Sequence, residues 1–184
     1  MGQVQKRANP APLGLLGFGL TTILLNLINA GIIELSIMIA AMGIAVGGLA
    51  QIIAGILEFR EHNTFGGTAF TAYGFFWISL VIIWMNPAGM MAAADAKSMG
   101  FYLLVWGIFT AFMFIGTLKH NKATQLVFGT LTLLFFTLAL GDFTQISIIT
   151  TAAGVIGIIC GASAFYTAVA LVINNEFDKS IFPL

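Results

Sequence analysis

Six blocks of uncharged, apolar residues fill almost all of this 184-residue chain. Asp, Glu, Lys and Arg make up only 8% of the residues, and they fall between the blocks or at the ends. In hydrocarbon every backbone polar group needs an internal partner, so a segment that crosses it folds as a helix. About 20 residues at roughly 1.5 Å each cross a core about 30 Å thick. We therefore predict an all-α membrane protein with a bundle of six transmembrane helices in each subunit.

Short polar or turn-forming links separate the predicted spans, and Glu58 and Asp142 are assigned to these links. A run from residue 13 to residue 59 is far too long for one helix, so we expect Asn29, Gly31 and Glu34 to contain a turn. Residues 1–184 are expected to form one membrane domain, with tails at about 1–11 and about 174–184. The predicted spans are 13–33, 35–59, 65–85, 99–118, 123–140 and 146–173.

The distribution of Lys and Arg predicts the orientation of the bundle. With six spans both termini lie on one side, and that side holds every basic residue except Lys97. The positive-inside rule then places both termini in the cytoplasm, in a multi-pass protein of the cell membrane. The basic residues on the side of the termini are Lys6, Arg7, Arg60, Lys119, Lys122 and Lys179.

Several classes of function fit the composition poorly. By the predicted spans, no Asp, Glu, Lys, Arg or His lies near the middle of a helix, where such residues serve as proton relays. Haem in a membrane needs axial ligands from span interiors, whereas His62 and His120 fall in links. An enzyme would need a nucleophile beside a base, and Cys160 is expected to be a small packing residue. We expect no enzymatic activity, no cofactor or metal, and no nucleic-acid partner.

Neutral polar side chains are what the spans offer instead. A Ser or Thr hydroxyl usually bonds to its own helix backbone, whereas Asn26 and Gln51 need partners and either clamp helices together or face a pore. Neutral donors suit a small anion or a neutral acid better than a cation. We assign Thr21, Gln51 and Thr71 to the lining of a pathway from their positions in the spans.

Glycine is abundant, with 21 residues, and it recurs four apart at Gly43 and Gly47 and again at Gly157 and Gly161. In lipid, helices associate mainly where small residues let their backbones approach closely. We expect most of these glycines to pack helices within a subunit, and some to lie at a subunit interface.

Two segments carry unusual sequence. Residues 9–15, Asn-Pro-Ala-Pro-Leu-Gly-Leu, start the first span, where Asn9 either caps the helix or leaves free N–H groups that favour an anion. In residues 63–77, the aromatic side chains of Phe70, Tyr73 and Trp77 recur at helical spacing. They form either a packing stripe or a narrow gate that carries a hydroxyl.

These two segments, together with Gly17-Phe18-Gly19, residues 112–119 and residues 160–164, resemble the acetate uptake transporter family, the succinate–acetate permeases. The resemblance covers essentially the whole chain. It implies a homo-hexamer in the lipid bilayer, in which each subunit has its own pathway for acetate and, in some members, succinate. It also implies a hydrophobic constriction made by Phe18, Tyr73 and Leu131. Ala164 matches a position that helps set substrate size, and Asn9 belongs to the opening motif and to the expected pathway.

Two mechanisms fit this resemblance, a channel that passes acetate down its gradient and a permease that moves acetate with a proton. The predicted span interiors contain no residue that could relay a proton, which favours the channel. A permease could still work without one if the substrate is itself protonated or if a chain of waters carries the proton. A membrane scaffold that transports nothing is the alternative function.

Overall fold

Six helices of the computed structural model, which describes residues 8–86, 89 and 91–184, are long and apolar enough to cross a membrane. The predicted class of a six-helix membrane protein is confirmed. Lys6 and Arg7, with the start of the predicted N-terminal tail, lie outside the described residues. The helices are α1 (Ala11–Asn29), α2 (Ile37–Arg60), α3 (Thr64–Met85), α4 (Ala96–Thr117), α5 (Lys122–Thr144) and α6 (Ser147–Glu176).

The predicted turn between the first two spans is confirmed. α1 ends at Asn29, and Gly31 follows with a φ of 74°, a left-handed conformation that glycine adopts without steric cost. The assignment of Glu58 and Asp142 to links was wrong, since α2 continues to Arg60 and α5 continues to Thr144. A charged residue near the end of a helix lies at the membrane edge and does not have to end the helix. α5 stops instead where Gln145 takes a φ of 56°.

The last helix extends beyond its predicted end, and the tail after it folds back. α6 has 30 residues and ends at Glu176. The Asn174 side chain accepts hydrogen bonds from the backbone N–H groups of Ile181 and Phe182, and its Nδ2 donates to the Phe182 carbonyl. The Tyr166 hydroxyl donates to the Pro183 carbonyl at 2.9 Å. The chain after α6 therefore packs against α6.

The middle of α2 is a π-helix over Gly43–Ala50. Its glycines bring α2 close to two neighbouring helices: a Cβ atom at Gly47 would lie 2.8 Å from Cγ of Trp77 in α3 and 2.9 Å from Oγ1 of Thr21 in α1. The expected role of glycine in packing helices within the subunit is confirmed here. Single π-helical segments inside α-helices occur often at functional sites.

The bundle is packed in two different ways. Around α1 the contacts are close, because α1 lies against α2 through Gly17 and Gly47 and against α6 through Gly19 and Gly161. Around α3, α4 and α5 large rings fill wider gaps: the ring of Phe76 lies 5.2 Å from that of Trp106 and 5.2 Å from that of Phe135, centroid to centroid. Aromatic side chains of this size leave small spaces near the centre of the bundle, between α1, α3 and α5.

Candidate functional site

Phe18 of α1, Tyr73 of α3 and Leu131 of α5 meet at one level of the bundle. Each is buried, with at most 6% of its surface exposed, and the rings of Phe18 and Tyr73 lie 6.1 Å apart. All three side chains line both of two small cavities. The structure thus brings together the three residues of the expected constriction and places a cavity on each side of them.

The first cavity lies towards the face where α1 begins and α6 ends, here called the terminal face, because its residues precede the three shared ones along α1, α3 and α5. We call it the terminal-side cavity. It has a volume of about 20 Å³, close to what one water needs. Its other lining residues are Leu15, Gln51, Ala69, Phe70, Val127 and Phe128.

The second cavity lies towards the other face of the bundle, and we call it the opposite-side cavity. Its volume is about 30 Å³, again only enough for one or two waters. Its other lining residues are Thr22, Leu25, Asn26, Phe76, Trp77, Leu134, Phe135 and Leu138.

Each cavity has one lining residue with an unsatisfied polar atom. Gln51 is fully buried, and its Nε2 donates to the Gly47 carbonyl at 2.7 Å. That bond fixes the orientation of the amide, so the remaining atom, Oε1, is an acceptor. Within the described ranges Oε1 of Gln51 and Nε1 of Trp77 are buried without a hydrogen-bond partner. The terminal-side cavity is therefore lined by a residue with an open acceptor, and the opposite-side cavity by a residue with an open donor.

The Tyr73 hydroxyl is directed at α4. It donates to Oγ1 of Thr110 at 3.0 Å, and the Thr110 hydroxyl donates to the Trp106 carbonyl at 2.7 Å. The Tyr73 ring lines the cavities, whereas its hydroxyl forms a hydrogen bond between α3 and α4. Sequence reasoning did not find Thr110, since a single Thr in an apolar span carries no signal that it pairs with a tyrosine on another helix.

Three other predicted pathway residues lie outside the two cavities. The Thr21 hydroxyl donates to the Gly17 carbonyl at 2.7 Å, which is the bond within its own helix that a buried Thr usually makes. Thr71 packs closely against Gly55 of α2, and Ala164 is fully buried in α6. Of the polar residues assigned to the pathway lining from their span positions, the structure brings Gln51 alone to a cavity.

Asn9 is exposed at the start of α1, where its Oδ1 accepts a hydrogen bond from the backbone N–H of Ala11 at 3.0 Å. It lines a groove between the start of α1 and the end of α6 and does not reach the cavities. Asn9 is not the helix cap, since the N-cap of α1 is Pro10 and no side chain caps this end; its bond to Ala11 closes the turn that leads into the helix.

Sequence reasoning missed the polar part of Trp77, and it left open whether Asn26 clamps helices together or faces a pore. Trp77 was read as a member of an aromatic stripe, which gives no information on where its indole N–H points. The Asn26 side chain donates to the Thr22 carbonyl at 2.8 Å and packs closely on Gly157 of α6, beside the opposite-side cavity. As for metals, the described part of the chain holds no group of three His, Cys, Asp or Glu side chains that could bind one.

Comparison with known proteins finds relatives that match almost the whole of this chain. Residues 2–183 match the GPR1/FUN34/yaaH family. The succinate-acetate/proton symporter SatP of Escherichia coli K12 is 53% identical, over 97% of this chain and 96% of its own length. Acetate permease A of Emericella nidulans is 34% identical, over 99% of this chain and 67% of its own length. The solved structure of the bacterial acetate channel SatP superposes with a TM-score of 0.95 at 53% identity, covering 97% of this chain and 99% of that one.

Proposed function

Because this chain belongs to the GPR1/FUN34/yaaH family, we propose that it transports acetate and related small carboxylates such as succinate across the cell membrane. The protein is a multi-pass membrane protein, and the relatives above are named as transporters or channels rather than enzymes. Transport runs through a pathway within each subunit. The names given to the relatives include both a proton symporter and a channel, so both mechanisms stay open for this chain.

The observation that carries this proposal is the pair of cavities divided by Phe18, Tyr73 and Leu131. A scaffold protein needs no such spaces along its axis, and a fully packed bundle would fill them. The two cavities are too small for a carboxylate to rest in, so passage requires these side chains to move apart. Hydrophobic constrictions of this kind control passage by excluding water.

The open polar atoms indicate how a carboxyl group is received on each side. Nε1–H of Trp77 can donate to a carboxylate. Oε1 of Gln51 can accept only from a donor, and a protonated carboxyl group offers one. An apolar constriction favours the neutral acid, since moving an unpaired carboxylate out of water is far more costly. These groups support passage of the acid form through the constriction itself.

Flux of radiolabelled acetate into vesicles that contain the purified protein tests the proposal. We expect uptake well above that of protein-free vesicles, and uptake equal to the lipid leak would favour the scaffold alternative. Repeating the measurement with the membrane potential clamped at two different values separates the two mechanisms. Movement of the anion responds to the potential, whereas movement of acetate with a proton does not.

Removing the Tyr73 hydroxyl is expected to affect stability more than transport. Tyr73→Phe loses the bond to Thr110 and should lower the free energy of unfolding by about 1 kcal/mol. We expect acetate flux to change little, because the hydroxyl donates to α4. Thr110→Val is the matched control, since it removes the same bond from the other side. If flux falls in Tyr73→Phe but not in Thr110→Val, the hydroxyl contacts the substrate.

We also propose that both termini are cytoplasmic. The described basic residues support this, because all but one lie at the terminal face. There Arg60 ends α2, Lys122 begins α5, Lys119 lies between α4 and α5, and Lys179 follows α6. Lys97 lies in the first turn of α4, at the other face. A reporter enzyme that works only in the cytoplasm should be active when it is fused after Leu184. Activity of a reporter that works only outside the cytoplasm would reverse the orientation.

We propose that the subunits assemble as a homo-hexamer, with the whole chain of 184 residues as one membrane domain. Large apolar side chains such as Phe75, Phe112 and Ile148 are more than half exposed on the outside of the bundle, where lipid or neighbouring subunits cover them. The mass of the particle in several mild detergents tests the hexamer, and a monomer or dimer in all of them would contradict it.

A further inference from the structure

Glu58 is a buried acidic residue that the proposed pathway does not use. It lies in the last turns of α2 and is only 3% exposed. One carboxyl oxygen, Oε2, accepts a hydrogen bond from Nδ2 of Asn63 at 2.6 Å. The other oxygen, Oε1, is buried without a partner in the described part of the chain. A buried carboxylate needs charged or hydrogen-bonding compensation, and here a single neutral amide supplies it.

The charges around Glu58 do not neutralise it. Among the described residues, the charged group that acts on it is Glu61, which has the same sign. The helices packed against this end of α2 are α1 and α3, and neither contains an Asp, Glu, Lys, Arg or His. Nearby on the terminal face, Arg60 and His62 are exposed, and the His120 ring packs against Phe65.

The Glu58 carboxyl group is linked directly to the start of α3. Asn63, which donates to Glu58, also caps α3, because its Oδ1 accepts from the backbone N–H of Gly66 at 3.0 Å. The fit is tight, since a Cβ atom at Gly66 would lie 3.0 Å from Oε2 of Glu58. There is little room to hydrate a charge at this point unless the first turn of α3 shifts away from α2.

Both of these helices lead to the terminal-side cavity. Ala69 and Phe70, which line it, are in the second turn of α3. Gln51, which also lines it, precedes Glu58 by seven residues and so lies on the same face of α2, two turns away. A change at Glu58 is therefore transmitted to the cavity through two short, packed helical segments.

We propose that Glu58 is a proton-binding site that controls transport, an inference that rests on the proposed transport of acetate. A proton passes from hydronium in the solution at the terminal face to Oε1 of Glu58, leaving water, and it returns to water on release. With the proton bound, the neutral carboxyl group fits between Asn63 and Gly66, and α3 stays docked on α2 in the state that transports. Without the proton, the charge beside Glu61 draws in water and displaces the start of α3.

The pH dependence of acetate flux in Glu58→Gln tests this proposal. Gln has the same shape, still accepts from Asn63 and cannot ionise. Flux is measured in vesicles with the same pH on both sides, and the leak through the lipid is subtracted. The quantity compared is the ratio of wild-type flux to variant flux at each pH. The ionisation of acetate affects both proteins equally and cancels in this ratio. We expect this ratio to be near one in acid and to fall severalfold as the pH rises, because Glu58 then loses its proton whereas Gln has none to lose. Glu61→Gln, the matched control on an exposed acidic residue, leaves Glu58 ionisable. It should keep a pH-dependent profile, displaced towards lower pH because a charge of the same sign is removed.

Two further measurements keep the proton site testable if a variant is inactive. Infrared difference spectra of the purified full-length protein between acid and neutral pH should show a protonated carboxyl band that Glu58→Gln lacks and Glu61→Gln retains. Glu58→Asp keeps an ionisable group and should shift the midpoint of the flux profile rather than abolish it.

The outcomes separate the two proposals. A constant ratio of wild-type to Glu58→Gln flux, or the same infrared band in both proteins, would overturn the role of Glu58 while leaving acetate transport intact. If the wild type moves no acetate, the proposed function fails, and the infrared titration alone decides whether Glu58 binds a proton.

Discussion

Shortening Leu131 to alanine is expected to raise acetate flux and to let larger monocarboxylates such as lactate pass. Leu131 is 3% exposed and is shared by both cavities, so removing its isopropyl group joins spaces that Phe18, Tyr73 and Leu131 now divide. A difference of one or more carbon groups in an apolar site changes discrimination by about ten- to two-hundred-fold. We therefore expect the flux of lactate relative to acetate to rise by about tenfold.

The stability of this variant decides whether the flux can be interpreted. Truncating a buried Leu usually costs about 2–5 kcal/mol, and the cost grows with the cavity that remains. Leu131 already borders a cavity on each side, so it has fewer packed neighbours to lose, and we expect a value near the lower end. Thermal unfolding of the purified variant in detergent should show a folded protein with a lowered midpoint.

Leu134→Ala is the matched control for Leu131→Ala. Leu134 is one turn further along α5 and is also buried, but of the two cavities it lines only the opposite-side one. It should lose similar stability without gaining lactate flux. If Leu131→Ala fails to fold, or if acetate and lactate flux both stay at wild-type levels, Leu131 is a core residue. Leu133, next to it in sequence, is 53% exposed and is not a candidate for the constriction.

The sequence alone was enough to predict the fold. Hydropathy gave six spans because lipid leaves a backbone no other way to satisfy its polar groups. Gly31 marked the turn after α1, since its left-handed conformation is one that glycine adopts readily. The helix ends at Arg60 and Thr144 were harder, because a single charged residue at the membrane edge does not stop a helix. The π-helical stretch of α2 was not predicted, as its composition does not distinguish it from an α-helix.

The candidate site was only partly accessible from the sequence. Hydropathy cannot distinguish Leu131, at the centre of the bundle, from Leu133 on its outside, and only the family resemblance selected Leu131. Thr21 and Thr71 were assigned by depth in their spans, but depth does not tell which side of a helix faces the axis. The burial of Glu58 depends on Asn63 and on the absence of a side chain at Gly66, contacts that are made only when α3 docks on α2.

A large loss of stability is expected from Gly161→Ala, at the contact between α1 and α6. A Cβ atom at Gly161 would lie 2.8 Å from the Gly19 carbonyl oxygen and 2.8 Å from the backbone nitrogen of Ile23. These are backbone atoms, which cannot rotate away, so α1 and α6 have to separate. Overpacking typically costs about 1–3 kcal/mol, and rigid backbone on both sides favours the upper end. The gain of about 1 kcal/mol in helix propensity does not offset this cost.

Gly129→Ala provides the comparison for Gly161→Ala, since it makes the same chemical change in a transmembrane helix. The nearest atom to its new Cβ would be in the Phe114 side chain, at 3.2 Å, and a side chain can shift by a few tenths of an ångström. We expect Gly129→Ala to unfold near the wild-type temperature and Gly161→Ala well below it. Acetate flux should fall with Gly161→Ala as well, because Phe18 is the neighbour of Gly19 on α1 and moves with it. Equal unfolding temperatures for the two variants would show that α1 can move away from α6 at little cost, and the constriction would then rest on α3 and α5.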